Sequence, residues 1–358
     1  MRIKRRKCRE VKIGGVRIGG DNPLAVQSMI KVATSDLSAT IREINQLRNA
    51  GCQIVRVAVR DNKDAATLRE IKRRSVLPLV ADIHFDKNLA IKAINSGVDK
   101  IRLNPGNIYK KEEIKEIAKA AKKACIPIRV GVNSGSLRCR KQDAGNRMQE
   151  SEKMVKSALE YIKLLEGFGF YDIVISLKSS DIFTAIQANK EIIKHCDYPL
   201  HLGVTATGPS FTGIIKSAIV IGELLSEGIG DTIRISLTDK PVKEVKTAYS
   251  ILGALGLTNT GPQIISCPTC GRCEVDLIKI VNELEKKLYT LHFKLYTPPP
   301  KVAIMGCMVN GPGEARAADL GIAFGRKEGL LFSKGKPIKK VPFSKCVDVL
   351  LQGLADFL

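Results

Sequence analysis

The stretch Lys100-Ile101-Arg102-Leu103-Asn104-Pro105-Gly106-Asn107 is a short β-rich run that carries a cation and leaves through an amide and a Pro-Gly turn. Runs of the same kind recur on both sides of it, at Leu24 to Met29, Ile54 to Val59, Leu79 to Ile83, Ile126 to Val132, Ile173 to Leu177, Leu200 to Val204 and Thr232 to Leu237. Helical patterns separate them, such as Ala39 to Ala50, Ile114 to Lys123, Met154 to Glu166 and Ile214 to Leu225, and Val242 to Leu255 closes the series. Eight strand-helix units predict an α/β chain that begins with a parallel (β/α)8 TIM-like barrel, an architecture of typically about 250 residues. An open doubly wound sheet is the alternative. It needs fewer strands, and no G-x-G-x-x-G follows the first run to support dinucleotide binding. A Gly-punctuated basic hairpin at Val11 to Gly20 precedes the barrel, and Gly261-Pro262 marks a break after it. The barrel, read as the substrate-binding domain, therefore takes residues 1–260. A smaller α/β domain takes residues 261–358, with a helix at Leu277 to Leu288, a Pro298-Pro299-Pro300 linker and short strands.

In such barrels the active site lies at the carboxyl ends of the strands. The run ends here carry Arg56, Arg102, Arg129, Lys178 and Arg234, each from a different strand. Unpaired cations inside a barrel are very costly, so something anionic belongs among them. The planar fork of Arg binds phosphate bidentately and Lys acts as a point charge, so phosphate groups suit the set. The loops at Asn104 and Asn133 carry Gly, which lets backbone N–H groups turn toward phosphate oxygens. Each residue alone is equally well explained by a salt bridge to a neighbouring element; the convergence of the set favours a ligand. Asp82, His84 and His201 would suit a barrel metal hydrolase, but no single strand carries an H-x-H pair.

The second domain opens on Cys267-Pro268-Thr269-Cys270-Gly271-Arg272-Cys273, answered by Gly306-Cys307-Met308-Val309-Asn310-Gly311-Pro312-Gly313-Glu314. Two thiolates in a C-x-x-C turn can ligate one centre from a single loop, which Pro and Gly shape before any metal arrives. Three soft thiolates with a nearby carboxylate suit an iron-sulfur cluster better than structural zinc, which wants four Cys or His ligands. Cys273 keeps a second ligand set open. C-x2-C-x2-C also begins the bacterial ferredoxin run, and with Cys307 it would make an all-Cys site. The C-x3-C-x2-C spacing of radical enzymes using S-adenosylmethionine is absent.

The chain carries 58 Lys and Arg against 36 Asp and Glu, a formal net charge of +22. That excess attracts anions, both phosphorylated small molecules and acidic proteins. A zinc-ribbon protein that binds RNA is the rival reading. The basic residues are spread along the chain, however, and no recognised nucleic-acid module or interleaved aromatic set accompanies them, so nucleic acid is not expected as a partner. The start, Met1 to Lys12, is basic without an apolar segment, which indicates neither secretion nor a membrane anchor. Ten cysteines without a signal peptide point to a reducing compartment, and the expected location is the cytoplasm. Cys8, Cys52, Cys125, Cys139, Cys196 and Cys346 are expected as small core residues.

Several of these stretches, in this order, resemble a known family. They are Val26-Gln27-Ser28-Met29, Ala81-Asp82-Ile83-His84-Phe85-Asp86, Arg102 to Asn107, Gly131 to Leu137, His201-Leu202-Gly203-Val204-Thr205, Ser226 to Thr232, Cys267 to Arg272 and Cys307 to Glu314. From about Val11 to its end the chain is similar to the bacterial 4-hydroxy-3-methylbut-2-enyl diphosphate synthases, iron-sulfur enzymes of the methylerythritol phosphate route to isoprenoids. The resemblance implies reductive opening and dehydration of 2-C-methyl-D-erythritol 2,4-cyclodiphosphate to the open-chain allylic diphosphate. It implies a four-iron four-sulfur cluster held by Cys267, Cys270, Cys307 and Glu314, with Glu314 exchanging for a substrate oxygen and so acting in catalysis. It further implies that Arg56, Arg102, Asn104, Arg129, Asn133, Lys178, Arg234 and Ser236 grip the diphosphate, with His201 nearby and Asn310 reaching it from the cluster domain. A homodimer with shared active sites and a reduced ferredoxin or flavodoxin as electron donor complete the implied picture. Two departures stand out: Thr205-Ala206-Thr207-Gly208 replaces the family's usual Thr-Glu-Ala-Gly, and Ile30-Lys31-Val32 replaces a Thr-Asn-Thr-like stretch. The first leaves proton delivery to His201, Thr207 or water.

Overall fold

A two-stranded antiparallel hairpin, β1 (Val11–Ile13) and β2 (Val16–Ile18), comes first in the computed structural model. The structure describes residues 3–137, 148–258, 262–288, 300–309, 313 and 315–354. Strands and helices then alternate as β3 (Ala25–Met29), α1 (Leu37–Asn49), β4 (Ile54–Val59), α2 (Asn62–Arg74), β5 (Leu79–Ile83), α3 (Lys87–Asn95), β6 (Lys100–Leu103) and α4 (Lys111–Lys123). They continue as β7 (Ile128–Asn133), α5 (Glu150–Gly167), β8 (Ile173–Lys178), α6 (Ile182–Ile192), β9 (His201–Leu202), α7 (Ser210–Ser226), β10 (Thr232–Ile233) and α8 (Pro241–Ala254). The sheet runs β8-β7-β6-β5-β4-β3-β10-β9, and a parallel bridge between Ile175 and Leu200 joins its two ends. That closes the eight-stranded parallel barrel the sequence predicts.

Local sequence explains much of this alternation. Asp36, Asp61, Asp86 and Asp181 stand just before α1, α2, α3 and α6, and each side chain accepts a backbone N–H of the first turn. Such caps satisfy orphan donors and are worth about 1 kcal/mol each. Helix α4 buries Ile114, Ile117, Ala118 and Ala121, the spacing of a single helix face, and leaves its lysines in water. The last two strands are shorter than their apolar runs. Gly203 leaves the extended conformation at φ +156°, and a β-carbon there would lie 2.4 Å from the Arg234 carbonyl oxygen, so the chain bends where two strands approach closely.

The hairpin plugs the barrel. Val11, Ile13 and Ile18 pack with Ala25, Ile54, Val80 and Val174, which sit at or next to the first residues of β3, β4, β5 and β8. Each such burial is worth about 1.5–3 kcal/mol, and together they seal the amino-terminal end of the barrel against water. Of the cysteines expected in the core, Cys52 and Cys346 are buried and Cys8 and Cys196 half-buried. Cys125 is exposed, because it occupies a left-handed turn at φ +52° just past α4. Cys139 lies outside the described residues.

The chain divides into two units, Met1–Leu255 and Gly256–Leu358. The second contains β11 (Gln263–Ser266), α9 (Leu277–Leu288), β12 (Lys301–Met305), β13 (Leu320–Phe324), β14 (Gly329–Ser333), β15 (Lys336–Val341) and α10 (Cys346–Gly353). Its sheet follows chain order, parallel from β11 to β13 and antiparallel from β13 to β15. Strand alternation divides β12 between two cores: Val302 and Ile304 face the α9 and α10 side, Ala303 and Met305 the other. Among the described residues no helix is long and apolar enough to cross a membrane.

Candidate active site

At the carboxyl ends of the barrel strands lies a cavity of about 190 Å³, and five cations line it: Arg56, Arg102, Arg129, Lys178 and Arg234. Asp82 is the one carboxylate in that lining. Alternation along the strands puts these side chains inside. Arg102 comes two residues after Lys100 on β6, and Arg129 and Asn133 lie on one face of β7. Asp82 lies 3.2 Å from Arg102 Nη1 and 3.8 Å from Arg56 Nε, and His84 Nε2 is 3.6 Å from it. Burial pushes the Asp82 carboxyl up, but Arg56 and Arg102 outweigh that and hold it down at about 2. Asp82 is thus spent on guanidinium pairing, which removes it from the metal-ligand set considered for a hydrolase.

One carboxylate cannot match five cations. Lys178 Nζ, Arg129 Nε and Nη1, and Arg234 Nε are buried with no hydrogen-bond partner among the described residues. Burial, then the neighbouring Arg234 and Arg129, drive the Lys178 ammonium well below its ordinary value. Burial, then Arg56 and Arg102, act on Arg129 in the same direction. Guanidinium keeps its proton in proteins, so for Arg129 this shift measures the cost of a buried charge awaiting an anion. Gly203 makes the room: a β-carbon there would sit 2.7 Å from Lys178 Nζ.

The other predicted contacts fall in different places. Asn133 and Ser236 line the cavity, as do Ser176 and Thr205, which the sequence did not single out. Asn104 is absent from this lining. Its amide donates to Ser136 Oγ (2.8 Å) and its carbonyl accepts from Gly106 N (3.0 Å), so it shapes the loop after β6. His201 is fully buried, its Nδ1 2.7 Å from Thr232 Oγ1 and its Nε2 without a hydrogen-bond partner among the described residues. Burial, then Lys178 and Arg129, push its imidazole well below the usual range, which leaves it neutral. Asn310 and Glu314 lie outside the described residues. Thr207 Oγ1 donates to the Ser236 carbonyl at 2.5 Å, so its proton is already engaged.

Sequence reading missed Glu244. This fully buried carboxylate of α8 accepts from Ser28 Oγ (3.1 Å) and Leu237 N (3.0 Å), pairs with Lys31 (2.9 Å) and lies 4.0 Å from Arg234. Its position on the apolar stripe of α8, four residues before buried Ala248, is the signal that would have found it. Lys31, part of the divergent Ile30-Lys31-Val32 stretch, ties the loop after β3 to the Leu237 and Asp239 carbonyls.

In the second unit, parallel pairing of β11 with β12 brings the two cysteine loops together. Cys267 directly follows β11 and Cys307 comes two residues after β12. Gly306 N donates to Cys267 Sγ (3.2 Å) and Glu274 N to the Gly306 carbonyl (3.1 Å). Backbone N–H donation to sulfur is a device that tunes iron-sulfur clusters. Cys273 Sγ instead donates to the Val275 carbonyl (3.2 Å) and, with Cys267, packs against the apolar core. None of the described cysteines forms a disulfide. Among the described residues no three His, Cys, Asp or Glu side chains are gathered as a metal site. The donor chemistry, three thiols on two abutting loops with a backbone N–H on one sulfur, fits an iron-sulfur centre.

A cation-lined barrel mouth in one unit and soft thiol loops in the other define an enzyme class: a (β/α)8 barrel for an anionic substrate joined to a cysteine-loop redox domain. Comparison with known proteins narrows it. The GcpE TIM-barrel domain matches residues 8–249 and the GcpE protein C-terminal domain residues 263–356, so the chain belongs to the GcpE family. The curated 4-hydroxy-3-methylbut-2-en-1-yl diphosphate synthase (flavodoxin) of Geobacillus thermodenitrificans is 52% identical over 97% of this chain and 91% of its own. That of Bacillus subtilis is 51% identical over 97% and 90%. Among solved structures, the phospho-2-dehydro-3-deoxyheptonate aldolase of Thermotoga maritima shares the barrel fold, with a TM-score of 0.50, 13% identity, and coverage of 70% of this chain and 75% of that one. Family membership sets aside the zinc-ribbon and barrel-hydrolase readings.

Proposed function

We propose that this chain reductively opens and dehydrates 2-C-methyl-D-erythritol 2,4-cyclodiphosphate to (E)-4-hydroxy-3-methylbut-2-enyl diphosphate, consuming two electrons and losing one water. The observation that carries the reading is the charge imbalance at the barrel mouth, where five cations and one carboxylate line the cavity and Glu244 behind it reaches only Arg234 of the five, at 4.0 Å. A cyclic diphosphate supplies the missing negative charge. Opening the ring breaks a carbon–oxygen bond and leaves its oxygen on phosphorus as a terminal anion, so negative charge grows where Arg56, Arg102, Arg129, Lys178 and Arg234 converge. Preorganised cations in a water-poor site stabilise such charge far better than water does. Asn133 and Ser236, on the same cavity wall, are assigned to substrate binding with them. Asn104 is assigned to holding the loop, His201 to the neutral layer beneath, and Asn310 to a further substrate contact.

The cofactor assignment is a four-iron four-sulfur cluster on Cys267, Cys270, Cys307 and Glu314. When bound, such a cluster supplies electrons singly and an iron able to take an oxygen ligand. Cys273 is assigned as a bystander, supported by its bond to the Val275 carbonyl. The names of the relatives carry flavodoxin, and reduced flavodoxin is the proposed donor. A homodimer in the cytoplasm completes the proposal. The test is an anaerobic assay of the reconstituted protein with the cyclic diphosphate and reduced flavodoxin, following the allylic diphosphate by mass spectrometry. A cluster-loaded protein that leaves the cyclic diphosphate intact would sink the reading. Cys273→Ser should keep iron content and turnover, whereas Cys307→Ser should lose iron; the reverse result would replace the ligand set.

A further inference from the structure

Strand β6 sends two basic side chains into the barrel. Arg102 lines the cavity, and Lys100, two residues earlier on the same strand face, lies one layer deeper. The register partner of Lys100 is Val80, a member of the apolar plug. Lys100 is fully buried, and its nitrogen has no hydrogen-bond partner among the described residues. Other buried polar atoms of the barrel strands also have no hydrogen-bond partner among the described residues: both side-chain amide atoms of Gln27, Arg102 Nε, Nε and Nη1 of Arg129, Lys178 Nζ and His201 Nε2.

Arg56 on β4 and Lys100 are both register partners of Val80, and Arg129 on β7 is the register partner of Arg102. The Arg56 and Arg129 charges act on Lys100, and neutral His201 on β9 feels Lys100 in turn. The nearby carboxylates are committed elsewhere, Asp82 on β5 to Arg56 and Arg102, and Glu244 on α8 to Ser28, Lys31 and the Leu237 N–H. Burial, then Arg129 and Arg56, push the Lys100 amine well below its ordinary range, the direction that disfavours its proton in the free protein. An anion on Arg56 and Arg129 offsets the two charges that, after burial, most disfavour the proton.

We propose that Lys100 is a proton-uptake site coupled to anion binding at the barrel mouth: its amine takes a proton from solvent as a dianion settles on Arg56 and Arg129, and returns it when the anion leaves. This rests on the reading of the mouth as an anion site and adds a residue beneath the cavity to it. The sign follows from linkage. A complex that holds one more proton than its free components loses affinity as pH rises, by up to about tenfold per pH unit.

Sulfate is the probe, because it stays a dianion across this range and brings no proton of its own. Titration calorimetry of the full-length protein with sodium sulfate near neutral pH, in two buffers of different ionisation enthalpy, counts the protons taken up. The wild type should take up a large part of about one proton per sulfate. Lys100→Met should bind sulfate with much less uptake, and His201→Asn should keep it. If Lys100→Met does not fold, Lys100→Gln serves, and the pH dependence of sulfate affinity in the wild type is a second measure. Sulfate that fails to bind, a wild type without uptake, a flat pH profile, or uptake that disappears with His201 and persists without Lys100 would each overturn the proposal. Normal sulfate linkage in a protein that leaves the cyclic diphosphate unreacted would sink the proposed function and leave this inference standing.

Discussion

Arg129 and Lys178 are buried basic residues, and Arg129 Nε and Nη1 and Lys178 Nζ have no hydrogen-bond partner among the described residues, which sets function against stability at single residues. Replacing Arg129 or Lys178 by Met should stabilise the fold in the absence of anion, by about 1–4 kcal/mol, because a costly buried charge becomes an apolar chain of similar volume. The same changes should raise KM for the cyclic diphosphate at least tenfold and leave iron content unchanged. Melting curves, kinetics and iron analysis read the three effects; a loss of stability in both variants would contradict the unpaired-charge account. Asp82 is the opposite case. Its carboxyl is held at about 2, so its share of stability is full above the ordinary Asp value of about 3.9 and is lost as pH falls through the folded value. Asp82→Asn should lose about 3 kcal/mol at neutral pH and no longer show that part of the acid dependence, as followed by circular dichroism. Ala206, where the family usually carries Glu, is exposed and left-handed at φ +50°. Ala206→Glu should therefore fold with a stability within about 0.5 kcal/mol of the wild type, since the side chain meets water and both residues share the backbone cost.

At the scale of elements, two loops show why their glycines are there. A β-carbon on Gly306 would lie 2.5 Å from Cys273 Sγ and 3.4 Å from Cys267 Sγ. Gly306→Ala should therefore displace the turn after β12 and lower iron incorporation. Adding Cys273→Ala removes the nearest clash, and the double variant should regain iron measured after reconstitution. Iron that stays low in the double variant would mean that Gly306 acts through the backbone alone. Gly203→Ala meets backbone, the Arg234 carbonyl oxygen at 2.4 Å, and no second substitution relieves that, so its melting temperature should fall whatever is done at Lys178. Strand and helix positions were readable because apolar runs and Asp caps are local signals. The shortening of β9 and β10 was not, because it follows from the approach of two strands far apart in sequence.

Over the whole molecule, a net charge of +22 should steer an acidic electron donor. The edge strand β15 is exposed from Lys336 to Lys340, a lysine-rich edge that also discourages strand pairing between copies. Turnover with reduced flavodoxin should fall steeply as ionic strength rises from about 0.01 M to 0.15 M, where screening shortens to about 8 Å. Turnover with a small chemical reductant should fall less. Equal salt sensitivity with both reductants would remove steering from the account.

Sequence alone determined the strand-helix period, the cations at the strand ends and the two cysteine loops, because each is written in residues a few positions apart. The cations were legible as a set since strand ends converge in any closed parallel barrel. Only the tertiary structure decided how they are paired. The Ile175–Leu200 bridge closes the barrel, Asp82 is consumed by Arg56 and Arg102, Glu244 is drawn in from α8, and Lys100 is left beneath them without a hydrogen-bond partner among the described residues. Parallel pairing of β11 and β12 likewise brings Gly306 against Cys267 across 39 positions of chain. The physical reason is common to all of these. Periodicity and capping are short-range, whereas the partner of a buried charge is fixed by which strands lie side by side, and that is settled only when the sheet closes.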